Sequence, residues 1–245
     1  MWFFNRKKTI AASGILTGAT DYHSHILPGM DDGVGTIQEA LDILARYEAL
    51  GIRALWLTPH IMEDIPNSPK KLKERFFELR VAYTGKIKLH LAAEYMIDNH
   101  LRYALDTMVP GSIYKDMMSL GNTWKHILVE TSYYNSPIKM RETIGLVKEK
   151  GYIPLLAHPE RYMYLENSEY QKLHNEGVRF QLNLASLAGC YGPVVKKKAE
   201  WLLSNGLYYV AGSDLHSEET LEIFKGCKLK KQHLEQLRPL LHKSL

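Results

Sequence analysis

The chain has 245 residues, of which 45% are hydrophobic and 24% charged. That composition is globular, and the length suits one large α/β domain or two small ones. The net charge is only +4 and no basic block dominates, which argues against nucleic acid as the main partner. There are two cysteines, Cys190 and Cys227, too few for a disulfide framework or a zinc ribbon. A reducing, cytoplasmic setting is the simpler reading, with both cysteines structural.

No apolar run of about 20 residues is present, so no transmembrane helix is expected. The chain opens with apolar Trp2-Phe3-Phe4, then basic Arg6-Lys7-Lys8. A secretory signal would put the charges first and follow them with a greasier core. Residues 1–18 are therefore read as an N-terminal tail that frays, or that makes peripheral contact with a membrane surface. Residues 19–245 are read as a single domain.

The first strand ends in Asp21-Tyr22-His23-Ser24-His25. The two histidines are two apart and point to one side of an extended chain. Asp31-Asp32-Gly33 follows in a polar loop. Thr36-x-x-Glu39 is a capping box, opening a helix that should bury Ile37, Leu41, Leu44 and Tyr47 and stop at Gly51. Residues 53–57 form a buried strand ending in Thr58-Pro59-His60. Ser68-Pro69 starts a helix carrying Leu72, Phe76, Leu79 and Tyr83. Residues 87–93 form a third strand, ending at Glu94, and a short helix covers 99–105. Residues 126–129 form a fourth strand, ending at Glu130. A helix spans 137–150. Residues 152–157 form a fifth strand, ending in His158-Pro159-Glu160-Arg161. A helix over 168–176, a strand over 178–184, a helix over 193–205 and a strand over 207–211 follow. That seventh strand ends in Ser213-Asp214-Leu215-His216. The tail, 230–243, is helical, with Pro239 limiting or kinking it.

Strand and helix thus alternate about seven times, the pattern of parallel strands with helical crossovers. A closed or nearly closed (β/α) barrel is the best fit, an open doubly wound sheet the alternative. In a barrel the C-terminal strand ends share one face, where active sites are built. Six of the seven ends carry a histidine or carboxylate: His23 and His25, His60, Glu94, Glu130, His158, and Asp214 with His216. Asp32 joins them from the first loop. So many such groups packed around one mouth need cations. Five imidazoles and four carboxylates without thiolate suit Mn, Fe, Zn or Mg, and nine donors are too many for one ion. The remaining histidines (His90, His100, His126, His174, His233, His242) read as structural or solvated. Asp21 reads as support, orienting an imidazole.

These motifs, in this order over residues 20–240, resemble the PHP (polymerase and histidinol phosphatase) superfamily. They resemble more narrowly its metal-dependent protein-tyrosine phosphatases of capsule and exopolysaccharide systems, the CpsB/CapC type. The narrower resemblance leans on Asp31-Asp32-Gly33 and on His158-Pro159-Glu160-Arg161-Tyr162. It implies a distorted (β/α)7 barrel with two to three divalent ions, typically Mn. One ion would take His23, His25, Glu94 and Asp214. A second would take Glu94, His60 and His158. A third would take Asp32, Glu130 and His216. Arg161 would bind the phosphate and act in catalysis with Asp214 and His216. Some relatives carry a second arginine after Asp-x-His; here that loop reads Ser217-Glu218-Glu219-Thr220, and Lys225 is a candidate replacement.

The implied activity is hydrolysis of phosphotyrosine by a metal-activated hydroxide, regulating polysaccharide synthesis. Its implied partner is an autophosphorylating tyrosine kinase of polysaccharide export, at the inner face of the membrane. A cysteine-dependent phosphatase needs an arginine six positions after the cysteine. Lys196 and His233 stand there instead, so phosphatase chemistry here must use metal. The competing readings are a phosphoesterase acting on a small molecule such as histidinol phosphate or on nucleic-acid ends, and a non-catalytic metal-binding scaffold.

Overall fold

The structure, a computed structural model, describes residues 7–108, 117–121 and 125–245. In chain order the elements are β1 (Lys8–Thr9), α1 (Ile10–Ser13), β2 (Thr20–Asp21), α2 (Ile37–Ala49), β3 (Ala54–Leu57), β4 (His60–Ile61), α3 (Pro69–Ala82), β5 (Lys88–Leu91) and β6 (Glu94–Met96). Then come α4 (Asn99–Asp106), β7 (His126–Glu130), α5 (Met140–Glu149), β8 (Ile153–Ala157), a 3₁₀ turn (Pro159–Arg161), α6 (Asn167–Asn175), β9 (Arg179–Asn183) and α7 (Leu184–Ala188). The chain finishes with α8 (Pro193–Ser204), β10 (Tyr208–Gly212), α9 (Glu218–Gly226), β11 (Lys228–Leu229) and α10 (Lys231–Leu241).

Besides a small antiparallel pair of β1 and β11, the strands form two parallel sheets, one of order β2-β3-β5 and one of order β10-β9-β8-β7-β6-β4. They are two halves of one ring. β4 continues the line of β3 across Thr58-Pro59, and β6 continues β5 across Ala92-Ala93. Pro59 has no N–H to give to a ladder, so the sheet breaks there. Single hydrogen bonds carry the pairing over the break, from Ala92 N to Leu57 O (2.9 Å) and from Glu94 N to Pro59 O (3.1 Å). The ring closes between its first and last lines in the same manner. Asp214 N donates to His23 O (2.9 Å) and His25 N to Leu215 O (2.8 Å). Seven parallel strand lines therefore run in sequence order around a distorted, barrel-like ring that no continuous ladder closes, its joins made by isolated hydrogen bonds.

Two apolar clusters fill this frame. Tyr22, Trp56, Ala92, Leu128, Leu155 and Val210, each from a different strand line, form one cluster with Leu120 and Ala157. The larger cluster lies between strands and helices and runs from Ile10 to Leu241. The capping box of α2 is present, with Thr36 and Glu39 each accepting from the other's backbone. Its buried face is Ala40, Ile43, Leu44 and Tyr47. Ile37 and Leu41, expected in the core, are only partly buried. The helix expected from residue 137 begins at Met140, because Met140 N is held by Pro137 O (3.1 Å) in a turn.

The expectation of a tail over 1–18 is corrected for its second half. β1 pairs antiparallel with β11. Ile10, Ile15 and Leu16 are buried, so residues 8–18 are part of the packed structure. The aromatic stretch Trp2-Phe3-Phe4 and Arg6 lie outside the described residues. Helices α7 and α9 and strand β11 had no counterpart in the sequence reading.

Candidate metal centre

All nine candidate donor residues meet at one end of the ring, beyond the C-terminal ends of β2, β3, β5, β8 and β10 and at that of β7. His23 and His25 leave β2, His60 opens β4, Glu94 opens β6, and Glu130 ends β7. His158 follows β8, while Asp214 and His216 follow β10. Two glycines let the backbone close over them. A Cβ on Gly33 would sit 1.8 Å from His25 O, and one on Gly212 would sit 2.6 Å from His23 Cβ. Any side chain at either place would push the neighbouring histidine out.

The deepest feature is a pair of facing imidazoles. His23 Nδ1 bonds Gln181 Oε1 (2.9 Å) and His25 Nδ1 bonds Asp31 Oδ2 (2.8 Å). Both partners are acceptors, so in each neutral ring Nδ1 carries the proton and Nε2 keeps its lone pair for a cation or a second proton. Those two Nε2 atoms are 2.9 Å apart. Glu94 Oε2 stands 3.1 Å from the first and 3.2 Å from the second. Asp214 Oδ1 is 3.5 Å from each. Four electron-rich atoms converging on one point, fully buried, repel unless a cation or proton lies between them. The residues present therefore fit a divalent ion, with donors suited to Mn, Fe, Zn or Mg. The same field appears in the proton affinities. Burial pulls His23 down, yet the carboxylates of Glu94 and Asp214 outweigh it and raise His23 to about 9. Burial should raise Glu94, but the surrounding imidazoles hold it well below the usual carboxylate range.

Glu94 reaches a second group. Its Oε1 is 3.1 Å from His158 Nε2, and its Oε2 is 3.2 Å from His60 Nδ1. Glu130 joins here, with Oε1 3.0 Å from His60 Nδ1. The resemblance placed Glu130 with Asp32 and His216; the structure groups it with His60 and Glu94. Sheet order explains the difference. β7 pairs beside β6, with Glu130 opposite Met96, whereas Asp32 and His216 come from loops across the ring. His23, His158 and Asp214 form a further group, and the outermost is His25, Asp32, His60 and His216. Asp32 Oδ1 is 3.5 Å from both His60 Nε2 and His216 Nε2. The Asp32 side chain is 66% exposed, so this group lies at the opening.

Arg161 stands at the rim on the 3₁₀ turn. Its Nη1 donates to Asp214 Oδ2 (2.8 Å). Its guanidinium lies 4.2 Å from the Tyr133 ring centre and 4.4 Å from that of Tyr191. Two aromatic rings thus hold the cation between them. Among the described residues, His158 and Asp214 are the non-glycine residues with positive φ, at 32° and 56°.

The support residues were only partly foreseen. Asp21 does not orient an imidazole: its Oδ1 accepts from His23 N (3.2 Å) and Ser213 N (2.9 Å), and its Oδ2 from Tyr47 Oη (3.0 Å). Asp31 does that work for His25, and also accepts from His60 N (3.0 Å). Gln181 and Asn183, on the strand line without a histidine or carboxylate donor, hold His23 and Asp214 respectively. Polar residues at alternate positions near the end of a buried strand were the available signal. Tyr133 and Tyr191 left none.

A parallel α/β ring whose strand ends converge on a cluster of imidazoles and carboxylates is the architecture of metal-dependent hydrolases. The model of the CpsB/CapC family, capsular polysaccharide synthesis, matches residues 19–230, and the chain belongs to that family. The chain is similar to the tyrosine-protein phosphatase YwqE of Bacillus subtilis, at 29% identity over 82% of this chain and 78% of the relative. It is similar to the tyrosine-protein phosphatase CpsB of Streptococcus pneumoniae, at 28% identity over 80% of this chain and 82% of the relative. A structure described with YwqE and CpsB as unique metal-dependent tyrosine phosphatases superposes with a TM-score of 0.72, at 28% identity over 82% of this chain and 81% of that one.

Proposed function

We propose that the protein is a metal-dependent protein-tyrosine phosphatase serving capsule or exopolysaccharide synthesis. The observation that carries the reading is the facing pair of bare Nε2 atoms on His23 and His25, closed by Glu94 and Asp214, with Arg161 at the rim. Family membership and the similarity to named tyrosine phosphatases support the substrate class.

Two to three ions, Mn foremost, would be held by His23, His25, Glu94 and Asp214, by His60, His158, Glu94 and Glu130, and by Asp32, His216 and the edge formed by His25 and His60. When bound, they supply an acidified water near neutral pH and neutralise charge on the phosphoryl oxygens. The chain's own part is positioning. Gln181 and Asp31 fix the tautomers that keep Nε2 of His23 and His25 free. Arg161 offers a planar fork of donors that suits a phosphate. Tyr133 and Tyr191 hold that plane, and Asp214 engages one of its nitrogens. A tyrosyl leaving group, with a pKa of about 10, departs with little proton assistance. This agrees with a mouth where every imidazole is committed to the donor groups.

The substrate would be a phosphotyrosine-bearing protein, an autophosphorylating kinase of polysaccharide export. The setting would be the cytoplasmic face of the membrane. Among the described residues no helix is long and apolar enough to cross a membrane. The test joins metal analysis with turnover of a phosphotyrosyl peptide, histidinol phosphate and single-stranded DNA, on wild type and Arg161→Ala. Peptide turnover that needs metal and falls in the variant supports the reading. Faster turnover of either other substrate, with negligible peptide hydrolysis, refutes it.

A further inference from the structure

The chain's two cysteines, 37 positions apart, meet, Cys190 exposed and Cys227 buried. Cys190 lies in the loop between α7 and α8, flanked by Gly189 and Gly192, both with positive φ. Cys227 caps the end of α9. Their Sγ atoms are 2.7 Å apart, both thiols being free. A disulfide bond is about 2.05 Å long, so the sulfurs need approach by only roughly 0.65 Å. Flanking glycines leave the Cys190 loop free to make that adjustment.

We propose that Cys190 and Cys227 form a reversible redox pair, closing to an intramolecular disulfide under a hydroperoxide oxidant. The division of labour follows from exposure. Cys190 is exposed and Cys227 buried, so Cys190 meets the oxidant and Cys227 resolves. The Cys190 thiol is lowered to about 7, first by its hydrogen bond with Cys227 and with a further pull from the Lys196 cation, against a smaller rise from burial. It therefore supplies thiolate near neutral pH.

The chemistry balances. Cys190 thiolate attacks one peroxide oxygen; an S–O bond forms, the O–O bond breaks, and the leaving oxygen takes a proton. Cys227 Sγ then attacks the sulfenic sulfur; the S–S bond forms, the S–O bond breaks, and the departing hydroxide leaves as water with the Cys227 proton. Two thiols and one hydrogen peroxide give one disulfide and two waters. In a reducing compartment such a bond is transient, as expected of a sensor.

The bond would join two segments with separate duties. Tyr191, next to Cys190, packs on Arg161. Cys227 O accepts from Ile10 N (2.8 Å), holding the N-terminal segment. Oxidation therefore pins the loop 189–192 in the position that keeps Tyr191 against Arg161. This does not depend on the phosphatase reading, because the bond is measured directly.

The full chain is treated with hydrogen peroxide, then unfolded in guanidinium with N-ethylmaleimide and weighed intact. The expected wild-type product carries no maleimide and is lighter by two hydrogens, with dithiothreitol restoring both adducts. Cys190→Ser, an exposed change that leaves folding intact, keeps its one adduct. Amide exchange slows at residues 189–192 in the oxidised form. Retention of both adducts after peroxide, or a disulfide found only between two chains, overturns the pairing. Unchanged exchange at 189–192 overturns the pinning.

Discussion

The sharpest test of the metal centre changes a residue that touches no ion. Asp31 Oδ2 accepts from His25 Nδ1 (2.8 Å) and His60 N (3.0 Å), while Oδ1 accepts from Gly33 N (3.0 Å). Asp31→Asn keeps the shape but has only one acceptor oxygen. If the amide nitrogen faces His25, the imidazole must shift its proton to Nε2, which can then no longer bind metal. If it faces Gly33, a backbone donor is left unmet. In both cases the negative charge that makes His25 more basic is gone. Removing such a partner costs about 10–100-fold in metal affinity, roughly 1.4–2.7 kcal/mol. The unmet donor costs about 1–3 kcal/mol of stability. Asp21→Asn is the control. Its oxygen can still serve His23 N and Ser213 N, and its nitrogen can donate to Tyr47 Oη, whose own proton turns to Ser213 Oγ at 2.8 Å. Metal affinity should then hold within about threefold, under 1 kcal/mol. The assay is competition of metal-stripped protein against a chromophoric chelator, with thermal unfolding run separately. Wild-type affinity in Asp31→Asn, or an equal loss in Asp21→Asn, would refute the assignment of roles.

Stripping the metal should abolish phosphatase activity and lower the melting temperature. An ion at about 100 times its Kd adds about 2.7 kcal/mol, worth roughly 5–10 °C in a chain of this size; identical melting with and without chelator would count against a bound ion. Arg161→Ala should lower kcat/KM for phosphotyrosyl peptide by about 100–1000-fold, the scale of one lost transition-state donor. Arg161→Lys should recover only part of it, since a point charge cannot fill the planar slot between Tyr133 and Tyr191; full recovery would show that charge alone matters. Leu155→Ala, at a fully buried position beneath the site, should cost about 2–5 kcal/mol in denaturant unfolding. Thr36→Ala should remove the capping box of α2 and cost about 1 kcal/mol while leaving metal affinity unchanged.

Eight of the nine candidate donors stand out in the sequence because they lie where a short apolar strand gives way to a polar loop, and alternation of strand and helix aligns those ends; Asp32 lies within the first loop. Their grouping does not. It depends on which strand pairs with which, and only the pairing of β6 with β7 shows that Glu130 belongs beside Glu94. Nor does spacing reveal which aspartate faces a ring. Asp21, two residues from His23, turns back to the backbone, while Asp31 reaches His25 through the turn that Gly33 permits. The same blindness applies to α1 and β1. A short apolar segment with serine and glycine reads as a tail until β11 supplies its partner.

Backbone strain ties the fold to the site. A non-glycine residue with positive φ costs of order 1–3 kcal/mol and persists only where its surroundings impose it. His158 and Asp214 are the two such residues among those described, and each follows a strand and delivers a donor. For Asp214 the imposing contacts are visible: its N bonds His23 O (2.9 Å), and its Oδ2 takes bonds from Arg161 and Asn183. For His158 they are the N–H bond to Gln181 Oε1 (3.3 Å) and the ring contact with Glu94. Gln181 thus serves His23 and His158 together, and Asp214 is shared between the facing imidazoles and Arg161. A relaxed backbone at either position would swing its donor away from the ring of strand ends. The fold therefore spends part of its packing energy on holding two strand ends in conformations that aim their side chains into the cluster of imidazoles and carboxylates.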